Sequence, residues 1–216
     1  MVESGRQLVM IDHSEEFHRR TLELRIFPGS GQLVLGRWQD HLGSMRNHFD
    51  IVLSDLTSGN LTYEERPRFL KDIREALVEG GLFVDKVLTM EATPLTRRHM
   101  ELTYQKRAMN LLTVNDFTND IFFRSWLVAG LEQIHRDDIL ASAVSEWGTN
   151  PRLSNLLNQA AEMIPERAVW SYGRPWNQLR EEYSANFATR VDWLNDVRSC
   201  PFYRSLRVLI LENRSL

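Results

Sequence analysis

One segment near the middle of the chain, residues 48–89, constrains the fold most strongly because it predicts a strand, a helix and a second strand in succession. Three consecutive apolar residues at 51–53 are typical of a strand that is buried on both faces of a parallel sheet. The run stops at Ser54-Asp55 and therefore places Asp55 at the carboxyl end of that strand. In open α/β sheets, ligands bind in the crevice outside the carboxyl ends of the strands.

A change to helical periodicity begins at Thr62, where Glu64, Glu65 and Pro67 suit the first turn of a helix. The apolar face of this predicted helix consists of Phe69, Leu70, Ile73, Ala76 and Leu77. Gly80-Gly81 is expected to end the helix, because glycine adopts the left-handed conformation at low cost. Residues 82–84 then begin the second strand, and a strand–helix–strand unit of this kind makes a right-handed crossover with parallel strands.

The sequences FDIVLSDL, from Phe49, and ALVEGGLFV, from Ala76, resemble the fourth strand, its helix and the fifth strand of class I S-adenosylmethionine-dependent methyltransferases. The resemblance implies a Rossmann-like α/β sheet. A strand at 7–11 and one at 32–35 are similar to the second and third strands of that family. A helix at 176–186 and strands at 187–194 and 206–211 resemble the antiparallel hairpin that closes the family's sheet.

The resemblance also implies S-adenosylmethionine as the cofactor and assigns residues to it. Asp12, in VMIDHS, matches the acidic residue that binds the ribose hydroxyls, and a carboxylate can accept two hydrogen bonds from a vicinal diol. The alternative is that Asp12 caps the next helix. Its neighbour His13 is a candidate cofactor contact and, with Asp12, a candidate for proton transfer; the alternative is a surface imidazole. Arg37 stands where the family often has an acidic adenine contact, and Trp38 either stacks on adenine or packs beneath the next helix.

The front of the chain departs from the family. The family's first strand and glycine-rich turn should lie upstream of Gln7, where nothing in this sequence matches them. In the usual strand order the missing strand lies between the second and the fourth, so its absence would leave two unpaired edges. Either the chain is a truncated form, with residues missing before Met1, or another segment fills the gap. If nothing replaces the turn, cofactor binding is expected to be weak or absent.

Two residues are the candidates for catalysis, Asp55 and Lys86, because both face the expected crevice. SDLTSGN and FVDKV also resemble the heat-shock type of RNA ribose 2′-O-methyltransferases, in which an aspartate and a lysine at these strand ends belong to a catalytic tetrad. A lysine there helps to deprotonate the attacking hydroxyl. Against this subclass, Arg207 stands near the position of the tetrad's glutamate and the tetrad's first lysine has no counterpart.

Residues 90–175 do not read as strands and are expected to form a mainly helical insertion over the carboxyl edge of the sheet. Helical periodicity runs through 94–112, 116–135, 136–147 and 151–164. Such a cover excludes water and shapes a substrate pocket. The predicted organisation is therefore a methyltransferase-like α/β core at 1–89 and 176–216, with a helical lid at 90–175.

Composition bounds the setting and the partners. A net charge of −3 and a pI near 6.1 argue against nucleic-acid binding by bulk electrostatics. The single cysteine, Cys200, cannot form an internal disulfide, and no apolar run is long enough to span a membrane, so a cytoplasmic location is expected. The six histidines show no zinc-ligand spacing, and no metal is expected.

Two functional hypotheses follow. In the first, the chain transfers a methyl group from S-adenosylmethionine to an oxygen or nitrogen of a small-molecule substrate, mainly by aligning the two reactants. In the second, it is a non-catalytic methyltransferase-like protein whose helical insertion binds a partner or forms a homodimer. The absent glycine-rich turn favours the second hypothesis, whereas Asp12 and Asp55 favour the first.

Overall fold

A computed structural model describes residues 8–23, 31–89, 96–129, 133–166, 169–171, 175–194 and 205–214. Within them, the strands are β1 (Val9–Asp12), β2 (Gln32–Leu35), β3 (Phe49–Asp55), β4 (Leu77–Leu88), β5 (Gln133–His135), β6 (Val169–Ser171), β7 (Ala188–Leu194) and β8 (Leu206–Glu212). The helices are α1 (Glu15–Glu23), α2 (Trp38–His41), α3 (Glu65–Ala76), α4 (Arg97–Lys106), α5 (Leu111–Ala129), α6 (Arg136–Trp147), α7 (Pro151–Met163) and α8 (Trp176–Ser184).

The strands form three sheets. β1 and β2 are parallel; a four-stranded sheet has the order β3-β4-β8-β7; β5 and β6 make a short antiparallel ribbon. β3 and β4 are parallel, and β8 runs antiparallel to both β4 and β7. The α/β class and the closing antiparallel hairpin are thus as the sequence predicts.

The end of α3 corrects one prediction. The helix stops at Ala76, four residues before Gly80, and β4 begins at Leu77. The backbone amides of Asn47 and His48 bind the carbonyl oxygens of Glu75 and Ala76, which would otherwise continue the helix. The glycines serve a turn inside β4: Phe49 pairs with Leu77 but Ile51 with Leu82, and Gly80 lies between these pairs with φ +74°.

Two hydrophobic clusters hold the fold together. One lies between α3, α8 and one face of the four-stranded sheet, with Phe69, Phe83 and Leu209 among its buried side chains. The other is built mainly from α4, α5, α6 and α7, and reaches the sheet through Leu88 and Leu206. The helical character expected for the middle of the chain is present, but the β5–β6 ribbon there was missed because a three-residue strand is too short to show a period.

Helix α1 carries a second correction. An apolar face of Phe17, Leu22 and Leu24 is expected from the sequence, but Leu22 is largely exposed. The side chains of the other two lie outside the described residues. Among the described side chains of this helix the buried one is Thr21, which lies one turn after Phe17 and not on the side of Leu22, so only the Leu22 part of the prediction is wrong.

Candidate active site at the carboxyl ends of the strands

Asp55 and Lys86 meet at the carboxyl end of β3. They are register partners on adjacent parallel strands, so their side chains leave the same face of the sheet. Lys86 Nζ lies 2.5 Å from Asp55 Oδ1, with the Asp55 side chain 75% exposed and that of Lys86 36%. The sequence-predicted catalytic pair is therefore assembled and open to solvent.

The residues after Asp55 turn sharply inward. Leu56 adopts a left-handed conformation with φ 60°, which costs a bulky residue about 1–2 kcal/mol. Its N–H donates to the Lys86 carbonyl oxygen at 3.0 Å, and its own carbonyl accepts from Gly59 N–H. A 3₁₀ turn, Thr57–Asn60, follows and contacts β6, so the helical region touches the loop beside the Asp55–Lys86 pair.

Asp12 ends β1, and its carboxylate already has one partner. Ser14 N–H donates to Asp12 Oδ1 at 2.7 Å, which is the capping alternative that the sequence left open. A carboxylate has two oxygens, and the side chain is about one-third exposed, so this cap leaves room for a further ligand. His13 is 84% exposed with Nδ1 4.0 Å from Asp12 Oδ1. Binding of ribose by Asp12 stays a prediction.

The turn after β2 lies beside Asp12, since Gly36 N–H donates to the Asp12 carbonyl oxygen at 3.0 Å. Gly36 has φ +156°, and a Cβ there would come within 2.3 Å of His41 Nε2, so the position requires glycine. Arg37 is exposed and precedes α2. Trp38 packs edge-on against Phe69 with ring centroids 4.9 Å apart, the packing alternative. A cofactor contact by Arg37 or Trp38 stays a prediction.

A buried polar cluster that the sequence analysis did not identify lies behind the loop. Asp85 of β4 is fully buried and accepts a hydrogen bond from the Tyr183 hydroxyl on α8. Burial raises the pKa of Asp85 from 3.8 to about 6, although Tyr183, the facing Ser54 and Ser58 hydroxyls and the Arg66 charge lower it. Burial and the adjacent carboxylate raise the pKa of Tyr183 well above 10, so Tyr183 is the donor.

Arg66 of α3 links this cluster to the loop. Its guanidinium is buried, and Nη2 donates to the Ser58 carbonyl oxygen at 3.1 Å. Nη1 lies 3.6 Å from the Glu182 carboxylate on α8, and the guanidinium lies 5.7 Å from the centroid of the Tyr63 ring. The cluster thus joins β4, α3 and α8 to the backbone of the turn that follows Asp55.

The edges expected to lack a strand do so among the described residues. There, β1 pairs only with β2, and β3 pairs only with β4. Ile51 and Leu53 of β3 are consequently 55% and 73% exposed, although the sequence suggests a fully buried strand. The region upstream of Gln7, where the glycine-rich turn is expected, lies outside the described residues.

A cavity of about 710 Å³ lies elsewhere. It is lined at the amino end of β3 by polar residues such as Asn47, Arg74 and Asn213, far along β3 from Asp55. Its mixed charges and open shape do not suggest a catalytic pocket. In the part of the chain that the structure describes, no cluster of three metal-binding side chains occurs and no helix is long and apolar enough to cross a membrane.

No family model matches the sequence, and a search of curated proteins finds no significant match. Solved structures match at low identity. A SAM-dependent methyltransferase from Methanosarcina mazei is 12% identical with a TM-score of 0.56, over 98% of this chain and 84% of its own. A Pyrococcus horikoshii protein is 12% identical with a TM-score of 0.54, over 98% and 73%.

A third neighbour is the 1,6-didemethyltoxoflavin-N1-methyltransferase of Burkholderia thailandensis, solved with bound 1,6-didemethyltoxoflavin and S-adenosylhomocysteine. It is 10% identical with a TM-score of 0.53, over 99% of this chain and 64% of its own. Identities this low show the fold alone. The chain therefore has the class I methyltransferase-like α/β fold that its motifs predict.

Proposed function

We propose that this chain binds S-adenosylmethionine at the carboxyl ends of its parallel strands and transfers the methyl group to an oxygen or nitrogen of a small molecule. The observation that supports the proposal is that Asp12 and Asp55 end β1 and β3 of a methyltransferase-like fold and that Lys86 pairs with Asp55. In open α/β sheets, those ends are where ligands bind. The neighbour that holds S-adenosylhomocysteine supports the choice of cofactor.

The residues present fit the nucleoside part of the cofactor. Asp12 offers a carboxylate oxygen to the ribose hydroxyls while the other keeps the Ser14 N–H. Arg37, Trp38 and His13 flank it as candidate contacts, although Trp38 must bind through the part of its ring that Phe69 leaves accessible. Bound S-adenosylmethionine would supply a methyl group that its sulfonium has already activated.

Asp55 and Lys86 fit the acceptor. A hydroxyl or amine that reached the pair would meet a carboxylate that accepts its proton and an ammonium that donates a hydrogen bond. Both side chains are solvent-exposed in the described structure, so a bound substrate would have to displace water from them. The helical region beside the loop is the proposed cover, and the division into a core and a 90–175 lid remains part of this proposal.

A second function is favoured by one observation. The open edge of β3 and its exposed Leu53 suit a non-catalytic protein that uses this surface, or its helical region, for a partner or a homodimer.

The RNA ribose methyltransferase alternative is weaker. Arg207, which stands near the position of the tetrad's glutamate, pairs in register with Val87 and so lies on the opposite face of the sheet from Lys86. A cytoplasmic location remains a prediction.

Calorimetric titration with S-adenosylmethionine and S-adenosylhomocysteine tests the proposal. We expect micromolar binding, and Asp12→Asn should weaken it about tenfold because a charge-assisted hydrogen bond is lost. This substitution keeps an oxygen for the Ser14 N–H, so α1 stays capped. Asp40→Asn, an exposed acid on α2, is the matched control and should bind as the wild type. No binding by the folded protein would contradict the enzyme proposal and favour the second function.

A further inference from the structure

The strain at Leu56 is offset only in part by its own side chain, which is half-buried and packs against the helical hydrophobic cluster. A leucine with φ 60° is an outlier for a bulky side chain, and its two backbone hydrogen bonds, to Lys86 and Gly59, do not themselves require a left-handed residue. Strained residues persist only where the surroundings over-determine them. The surroundings of residues 56–60 are therefore expected to contain strong fixed contacts.

Those contacts come from the buried polar cluster. Ser58 is fully buried, its carbonyl oxygen accepts from Arg66, and its hydroxyl faces Asp85. Asp85 is in turn held by the Tyr183 hydroxyl. Three elements, β4, α3 and α8, thus converge on one turn whose other end is Asp55.

Core stability does not account for such a cluster. Burying a carboxylate and a guanidinium costs free energy, and apolar side chains of similar volume are often as stable or more so. Arg66 Nε and Nη1 and Asp85 Oδ1 have no hydrogen-bond partner of standard geometry among the described atoms. The arrangement therefore points to a role that packing alone would not need.

We infer that Asp85, Tyr183 and Arg66 are positioning residues that hold the turn Thr57–Asn60 in place and so fix Asp55 against Lys86. Among the described residues, none of the three side chains contacts the side chain of Asp55 or Lys86. Arg66 acts through the Ser58 carbonyl, and Tyr183 acts through Asp85, which faces the Ser58 hydroxyl and directly precedes Lys86 in the chain. The expectation that loosening the turn weakens ligand binding rests on the proposed function, because the turn borders the proposed site. Its structural part, the anchoring of the turn, stands independently of that function.

The test compares Tyr183→Phe with Tyr104→Phe. Each substitution removes one buried hydroxyl that donates a hydrogen bond to a buried aspartate: Tyr183 donates to Asp85, and Tyr104 donates to Asp120. Tyr104 lies in the helical hydrophobic cluster, away from the turn, and is therefore the matched control. Amide hydrogen exchange is measured at Leu56, which directly precedes the turn, and at Gly59 within it, because both amides donate backbone hydrogen bonds. Binding of S-adenosylhomocysteine is measured by calorimetry on the same proteins.

Tyr183→Phe should speed exchange at both amides about tenfold and weaken binding by a similar factor, whereas Tyr104→Phe should leave both unchanged. Unchanged exchange in Tyr183→Phe, or equal acceleration in the two variants, would overturn the inference. If the wild-type protein binds no S-adenosylhomocysteine, the proposed function fails. The exchange rates at Leu56 and Gly59 still show whether the buried polar cluster anchors the turn.

Arg66→Met is the second variant, in case Tyr183→Phe fails to fold. It removes the donor to the Ser58 carbonyl and leaves the Tyr183–Asp85 bond in place. Faster exchange at Gly59 is the expected result. Exchange at the wild-type rate would show that the turn is held by other contacts and would overturn the inference.

Discussion

Asp85 gives the protein a pH dependence opposite to that of most buried acids in ion pairs. Its pKa rises from 3.8 to about 6 on folding, so the folded chain binds more protons than the unfolded chain between those values. Stability from this residue is fully present below pH 3.8 and is lost as the pH rises through 6. Arg66 and Tyr183 are the charged or titratable groups that act on it, and the Glu182 carboxylate lies beside Arg66.

The matched variant is Asp85→Asn, which keeps an oxygen for the Tyr183 hydroxyl but cannot ionise. Between pH 4 and pH 7, wild-type stability should fall relative to the variant by about 2 kcal/mol. Urea denaturation of both proteins across that range measures the difference. Parallel pH profiles would mean that the Asp85 pKa is not raised in the folded state.

At the scale of elements, the junction between α3 and β4 depends on one side chain from the end of the chain. Asn213 Nδ2 lies 3.1, 3.0 and 3.1 Å from the carbonyl oxygens of Arg74, Leu77 and Val78, and its two N–H groups are shared among them. Its backbone pairs with Gly80 and Gly81. The helix end is therefore capped by a residue more than 130 positions away rather than by a local glycine.

Asn213→Ala should lower the free energy of unfolding by about 1 kcal/mol, because it removes the donor shared by three partly buried carbonyl groups. Asn155→Ala serves as control, since its oxygen accepts only an exposed contact from Gln159. Chemical denaturation distinguishes the two. Equal and small effects would show that water replaces the Asn213 amide at no cost.

This junction also shows why the sequence predicted some features and not others. Strand β2 has the predicted bounds, 32–35, and the helix–strand order is right, because apolar periodicity is a local signal. The predicted end of α3 was wrong because it relied on a local signal, Gly80-Gly81. The helix ends earlier because Asn213 and the backbone amides of Asn47 and His48 bind the carbonyl oxygens at its end. Asp85 was missed, although its alternation with Phe83 and Val87 places it on the inward face.

Across the whole molecule, the open edge of β3 is the feature with a consequence for solution behaviour. Ile51 and Leu53 present apolar side chains beside backbone groups that have no strand partner within the described chain. Such an edge is a template for pairing with another chain. The site residue Asp55 lies at the carboxyl end of this edge strand.

Leu53→Lys should reduce self-association while changing stability by no more than about 0.5 kcal/mol, since the side chain is already exposed. Leu102→Lys, at another exposed leucine on α4, should leave self-association as it is. Sedimentation of the wild type and both variants over a range of concentrations gives the comparison. A protein that stays monomeric in all three forms would show that the edge is protected.

The most direct test of the central claim is an amide hydrogen-exchange map of the wild-type chain with and without saturating S-adenosylhomocysteine. A ligand at the strand ends should slow exchange at Ser14, Gly36 and Leu56 at least about tenfold. The amides of Asn47 and Asn213, at the polar cavity by the amino end of β3, should exchange as before. An unchanged map, or protection confined to Asn47 and Asn213, would contradict a cofactor site at the carboxyl ends of the strands.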